Sequence, residues 1–118
     1  MFKFKMNDNN WTIEEKMQSE IQETMKQRGN EIEKGSKWFG ITMTDTHQIF
    51  LDQDLHEDRK RNTLKHELTH CYIVNFMSHI DRNFCEEEVA DIVANSIDII
   101  NKIVTDYFSK GGKNKVSL

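Results

Sequence analysis

His66, Glu67 and His70 carry the most specific chemistry in the chain, an HExxH pattern. On a helix, residues i and i+4 lie one turn apart on the same face, so both imidazoles can reach one metal ion. Glu67 follows His66 at about 100° round the helix, near enough to contact a water on the ion rather than the ion itself. A carboxylate in that place can take the water's proton. With this chain's own His and Glu content, the chance of meeting the pattern is roughly 0.02. The alternative is two surface histidines on a helix with a capping or salt-bridging Glu.

A catalytic zinc site takes three protein ligands and leaves a fourth position open. The metzincin arrangement would place Gly at position 73 and His at 76, where the chain has Ile73 and Phe76. His79, past the end of that helix, reads as a solvated loop histidine. The gluzincin arrangement asks for a Glu on a following helix and an Asp one turn later, accepting the free N–H of a ligating His. Glu87 and Asp91 fit, and Ala90 and Ala94 are small enough to let two helices approach around an ion. Glu86, Glu87 and Glu88 are consecutive; Asp91 favours Glu87, with Glu86 and Glu88 as the alternatives. The expected site is therefore His66, His70 and Glu87 on zinc, Glu67 as general base, and Asp91 orienting a ligating His.

Other reactive residues have plainer readings. Cys71 points about 100° away from His70 and reads as a small core residue. Cys85 fits packing at a helix start. Arg59-Lys60-Arg61 with Lys65 reads as a solvated basic face, or as one that attracts an acidic substrate or a phosphate. Trp11 and Trp38 read as core anchors. No oxyanion-stabilising residue stands out, and Tyr107 is a poor candidate because it falls some 24 Å beyond Asp91 along a straight helix.

These side chains need elements to hold them. MFKFKM alternates apolar and polar and predicts a strand over 1–6. Thr12 with Glu15 is a capping-box pattern, and Ile13, Met17, Ile21 and Met25 recur every four residues, which predicts an N-terminal helix ending at Gly29-Asn30. Strands over 38–43 and 48–51, joined by Thr44-Asp45-Thr46-His47, predict a hairpin, with the second strand bordering the cleft. Asp54 with Glu57 offers a second cap. The HExxH helix then spans about 55–78 and the Glu-bearing helix about 85–109. Ala90, Val93, Ala94, Ile97, Ile100, Val104 and Tyr107 or Phe108 form the second helix's apolar stripe. Gly111-Gly112 ends it. The sum is α+β: an N-terminal helix, a small antiparallel sheet and two metal helices.

RNTLKHELTHCYI followed by EEEVADIVANSI resembles the ImmA/IrrE family of gluzincin-type zinc metallopeptidases. That family joins an HExxH helix to an E-x-x-A-(D/N)-x-φ-A helix, matched here by Glu87, Ala90, Asp91 and Ala94, with Val93 where Phe is usual. The resemblance covers about residues 38–100. It implies a minimal zincin core in one domain over 1–110, with 111–118 a flexible tail. It also implies a zinc-dependent endopeptidase, from a phage or a bacterium, acting on a regulatory protein such as a phage-type repressor.

Composition narrows the rest. The chain has 118 residues, no proline and a net charge of -4, which argues against a nucleic-acid coat. No apolar run is long enough to span a membrane, and the first ten residues lack the apolar core of a signal peptide. Two cysteines make no disulfide framework, so a reducing cytoplasm is expected, the host's for a phage protein. The expected partner is a protein or peptide substrate. The rival from another class is a non-catalytic, zinc-stabilised binding module, against which the Glu of HExxH counts, since a structural site needs no base.

Overall fold

The computed structural model describes residues 1–77 and 85–111. It is α+β, with a four-stranded sheet and three helices. Strands β1 (Phe2–Met6) and β2 (Asn9–Lys16) form a hairpin. Asn7 and Asp8 make its turn at φ of 50° and 66°, the left-handed conformation that Asn and Asp tolerate best among side-chain-bearing residues. The helix predicted from Thr12 onward is therefore shorter and starts later. Trp11 and Ile13 alternate into the core from β2, and the backbone N–H of Thr12 donates to the His47 carbonyl at 3.1 Å instead of opening a helix. Helix α1 is Gln18–Gln27, and its Glu20 carboxylate accepts the Met17 N–H at 3.2 Å. It stops before Gly29, at φ 90°.

Strands β3 (Gly40–Met43) and β4 (Gln48–Asp52) form the expected hairpin. The sheet as a whole is mixed rather than antiparallel. Its order is β1-β2-β4-β3, with β2 and β4 parallel. The strand expected to border the cleft, β4, lies in the interior of the sheet with both edges paired. Among the described residues the free edge on that side belongs to β3.

Period-two alternation divides the apolar residues between two faces. Phe50, Ile41 and Met43 meet Ile21 of α1 on one face. Trp11, Ile13, Ile49 and Leu51 face the other way, onto α2 (Glu57–Phe76) and α3 (Glu86–Asp106). The Asp54–Glu57 cap does not form: His56 is the N-cap of α2. At the start of α3 the Glu88 carboxylate accepts the Cys85 N–H at 3.0 Å.

Helix α3 carries two apolar stripes, and the structure buries the one not predicted in full. Ile92, Ser96, Ile100, Ile103 and Val104 face the core, while Val89, Val93 and Ile97 are exposed with Ala90 and Ala94. The buried stripe leads into Tyr107, the first residue of a π-helical turn, Tyr107–Gly111. Tyr107 is buried and donates its hydroxyl to Glu15 of β2. The other Glu15 oxygen accepts from the buried Lys60 of α2 at 2.7 Å. Sheet, α2 and the end of α3 are thus tied by one buried polar knot. Among the described residues no helix is long and apolar enough to cross a membrane. Positions 112–118 of the expected tail lie outside the described residues.

Burial, and then the Glu15 carboxylate, push the Tyr107 phenol well above its ordinary value. The unfolded chain releases that proton above about pH 10, whereas the folded protein keeps it, so stability falls as pH rises past that point. The expected slope is at most about 1.4 kcal/mol per pH unit from this group. Tyr107→Phe should flatten the fall while costing about 1–3 kcal/mol at neutral pH, through loss of a hydrogen bond to a charged partner. Urea unfolding of both proteins at pH 8 and pH 11 measures each effect.

Candidate metal and peptide site

Residues 59, 63, 66 and 70 follow helical spacing and share one face of α2, turned toward β3. The two elements come unusually close. A Cβ on Gly40 would stand 2.8 Å from Thr63 Cγ2 and 3.2 Å from the Phe50 carbonyl, so glycine sets the separation. With β3 this close, Thr42 reaches the face of α2 that carries the HExxH residues. Its hydroxyl donates to Glu67 Oε1 at 2.6 Å. Glu67 is 6% exposed, so this donor offsets part of the cost of burying a carboxylate.

His66 and His70 are exposed on the same face. Their Nε2 atoms lie 3.3 Å apart and their rings meet at 75°. Two imidazoles bound to one tetrahedral zinc at about 2.0–2.1 Å would have nitrogens about 3.3–3.4 Å apart. The pair therefore fits two positions of such an ion.

The histidines and Glu67 sit where two cavities join. One, of about 550 Å³, runs past Met25, Trp38, Ile41, Met43, His70 and Val74 to Arg28. Arg28 pairs with the exposed Asp45, which holds that carboxyl below its usual range. The other, of about 430 Å³, opens toward Phe39, Arg59, Asn62 and Thr63. Gly40, His66 and Glu67 line both.

The remaining predicted residues fall elsewhere. Glu87 and Asp91 are exposed on α3. At 100° per residue they point roughly opposite to Ile92, Ser96 and Ile100, because the larger isoleucines and Tyr107 fix which side of the helix is buried. Among the described residues no three His, Cys, Asp or Glu side chains converge on a point that could hold a metal, so Glu87 does not join the histidine pair. Of the two alternative ligands, Glu86 is exposed and Glu88 is engaged in the α3 cap. His79 lies outside the described residues. Cys71 is buried, and its thiol is pushed up to about 12 by burial and then by the Glu67 charge, which keeps it protonated at neutral pH. Tyr107 is committed to Glu15, and His47 stacks on Trp11 with centroids 4.5 Å apart.

Thr42 is the residue the sequence did not mark. Nothing distinguishes it from other strand threonines until the register pairs it with Ile49 and turns it toward α2. No family model, curated protein or solved structure matches the chain.

Thr42→Val removes the donor but keeps the shape, leaving a buried carboxylate oxygen without its partner. The expected loss is about 1–3 kcal/mol in denaturant unfolding. Thr42→Ser should lose less than half of that, and equal losses for both variants would mean that the hydroxyl is not what matters.

Proposed function

We propose that the protein is a zinc-dependent endopeptidase. What carries the proposal is the conjunction of two imidazole nitrogens at the bite of one zinc ion with a buried, oriented carboxylate beside them. His66 and His70 would hold the ion; Glu87, which the family resemblance names as third ligand, faces away from them and would have to be brought to the ion by a turn of α3. A bound zinc polarises a carbonyl and makes a water acidic enough to attack near neutral pH. Glu67, fixed by Thr42, would act as the general base and accept a proton from one position. The free edge of β3 offers backbone groups to an extended peptide, which would lie along the two cavities with its scissile bond over His66 and Glu67. The resemblance to the ImmA/IrrE family adds a substrate class, a regulatory protein of repressor type, and a cytoplasmic setting in a bacterial cell.

Zinc should stabilise the fold, by about 2.7 kcal/mol when free zinc is a hundredfold above its Kd. Thermal unfolding with and without zinc measures this, and His66→Ala or His70→Ala should abolish the gain. Glu87→Gln should weaken zinc binding more than Glu86→Gln or Glu88→Gln. If none of the three matters, the third ligand lies elsewhere.

Glu67→Gln separates an enzyme from a binding module. Zinc binding should persist, while turnover of a peptide or protein substrate drops at least about 10²-fold, the low end for loss of a general base. Cleavage by the wild type that disappears in both Glu67→Gln and chelator is the expected result. Undiminished cleavage by Glu67→Gln would remove Glu67 from the mechanism. Tight zinc-dependent association with no cleavage would favour the binding module.

A further inference from the structure

The cavity on the Phe39 side of the site holds a cation that has no ion-pair partner among the described residues. Arg59 is exposed, and its guanidinium stands 5.0 Å from the Phe39 ring centroid. Phe39 itself is 42% exposed, so the ring forms a platform that holds the guanidinium at the cavity. Among the described residues no carboxylate lies within ion-pairing distance of it. The neighbouring cations are matched: Lys60 pairs with Glu15, and Arg61 pairs with Glu57 and stacks on Phe108. Arg28, at the other end of the cleft, pairs with Asp45. Lys65 lies about 120° round α2 from Arg59 and leaves the cavity. Asn62, beside Arg59 in the cavity wall, is exposed and adds an amide donor. Among the described residues the only carboxylate lining either cavity is Glu67, already bonded to Thr42.

We propose that Arg59, seated on Phe39, is a specificity subsite for an acidic side chain of the peptide. This rests on the cleft being a peptide site, as proposed above. A planar guanidinium with free donors matches a carboxylate in bidentate fashion, and the α2 N-terminus adds partial positive charge. The position along the peptide follows from the geometry. Gly40 lies beside Thr63 and Thr42 beside Glu67, so β3 and α2 run in the same direction. A peptide added antiparallel to β3 runs from the His70 end toward Arg59. Arg59 precedes His66 by about 10 Å of helix, the span of about three extended residues. The acidic residue therefore belongs within about three positions on the C-terminal side of the cleaved bond.

The test uses two pools of labelled ten-residue peptides. One carries Asp or Glu at positions six to eight, the other Ser, Asn or Gln there, and both are otherwise randomised among neutral residues. Binding to zinc-loaded Glu67→Gln protein is read by fluorescence anisotropy, and cleavage of the same pools by protein with Glu67 intact is read by mass spectrometry. The acidic pool should bind about tenfold tighter, an advantage that shrinks from 50 to 500 mM salt. Arg59→Ala in the Glu67→Gln background should equalise the pools, Arg59→Lys should keep part of the preference, and Arg59→Glu should disfavour the acidic pool. Cleavage should fall on the N-terminal side of the acidic positions. Cleavage with no acidic preference, or a preference that survives Arg59→Ala, overturns the subsite and leaves the peptidase standing. An Arg59-dependent preference with no cleavage by the Glu67-intact protein sustains the subsite and overturns the peptidase. Failure of the acidic pool to bind overturns the subsite.

Discussion

The approach of β3 to α2 is the constraint on which the site depends. Gly40 sets it, because any side chain there would collide with Thr63 or with the carbonyl of Phe50. At that separation a hydroxyl as short as that of Thr42 spans the gap to Glu67, and the carboxylate can be buried without being stranded. The same contact turns one face of α2 into a cleft wall and leaves the outer edge of β3 running along it. A wider spacing would need a longer donor and would open Glu67 to water, where a carboxylate has no fixed direction. One missing methyl group thus links strand packing to the orientation of the proposed base.

A second constraint comes from the buried polar contacts of Glu15. Glu15, Lys60 and Tyr107 come from a strand, the HExxH helix and the turn after α3, and they satisfy one another in the interior. Because Tyr107 must point inward, the rotation of α3 about its axis is set. Ile92, Ile100 and Ile103 then face the core, while Val89, Val93, Ile97, Glu87 and Asp91 face out. Glu87 lies on the side of α3 turned away from the sheet, and for that reason the histidine pair has no third ligand among the described residues.

The most legible feature in the sequence was the HExxH helix, since a four-residue spacing specifies a face whatever the surroundings. The β3–β4 hairpin was equally plain from its flanking apolar runs. The β1–β2 hairpin was not. Asn7-Asp8 can turn a chain as readily as it can precede a helix, and Ile13 belongs both to a four-residue series and to an alternation with Trp11. Tertiary packing decided in favour of alternation, because Trp11 and Ile13 both had a core to enter. The phase of α3 was likewise undetermined locally. Its two stripes differ little in apolar content, and the residue that chooses between them, Tyr107, acts through a partner 92 positions away in the chain. Thr42 could be found only once register was known.

The sheet ends in two edges of different character. On β1, Lys3 and Lys5 project from the exposed face, alternating with the partly buried Phe2 and Phe4 and the buried Met6. Lysines on an outer strand repel the approach of another chain's strand and discourage runaway sheet growth. Strand β3, Gly40-Ile41-Thr42-Met43, carries no charge at all. Self-association through strand pairing is thus discouraged along β1 and left unopposed along β3, which borders the two histidines. Placing charge on β3 to improve colloidal behaviour at high concentration would put it within the cleft itself.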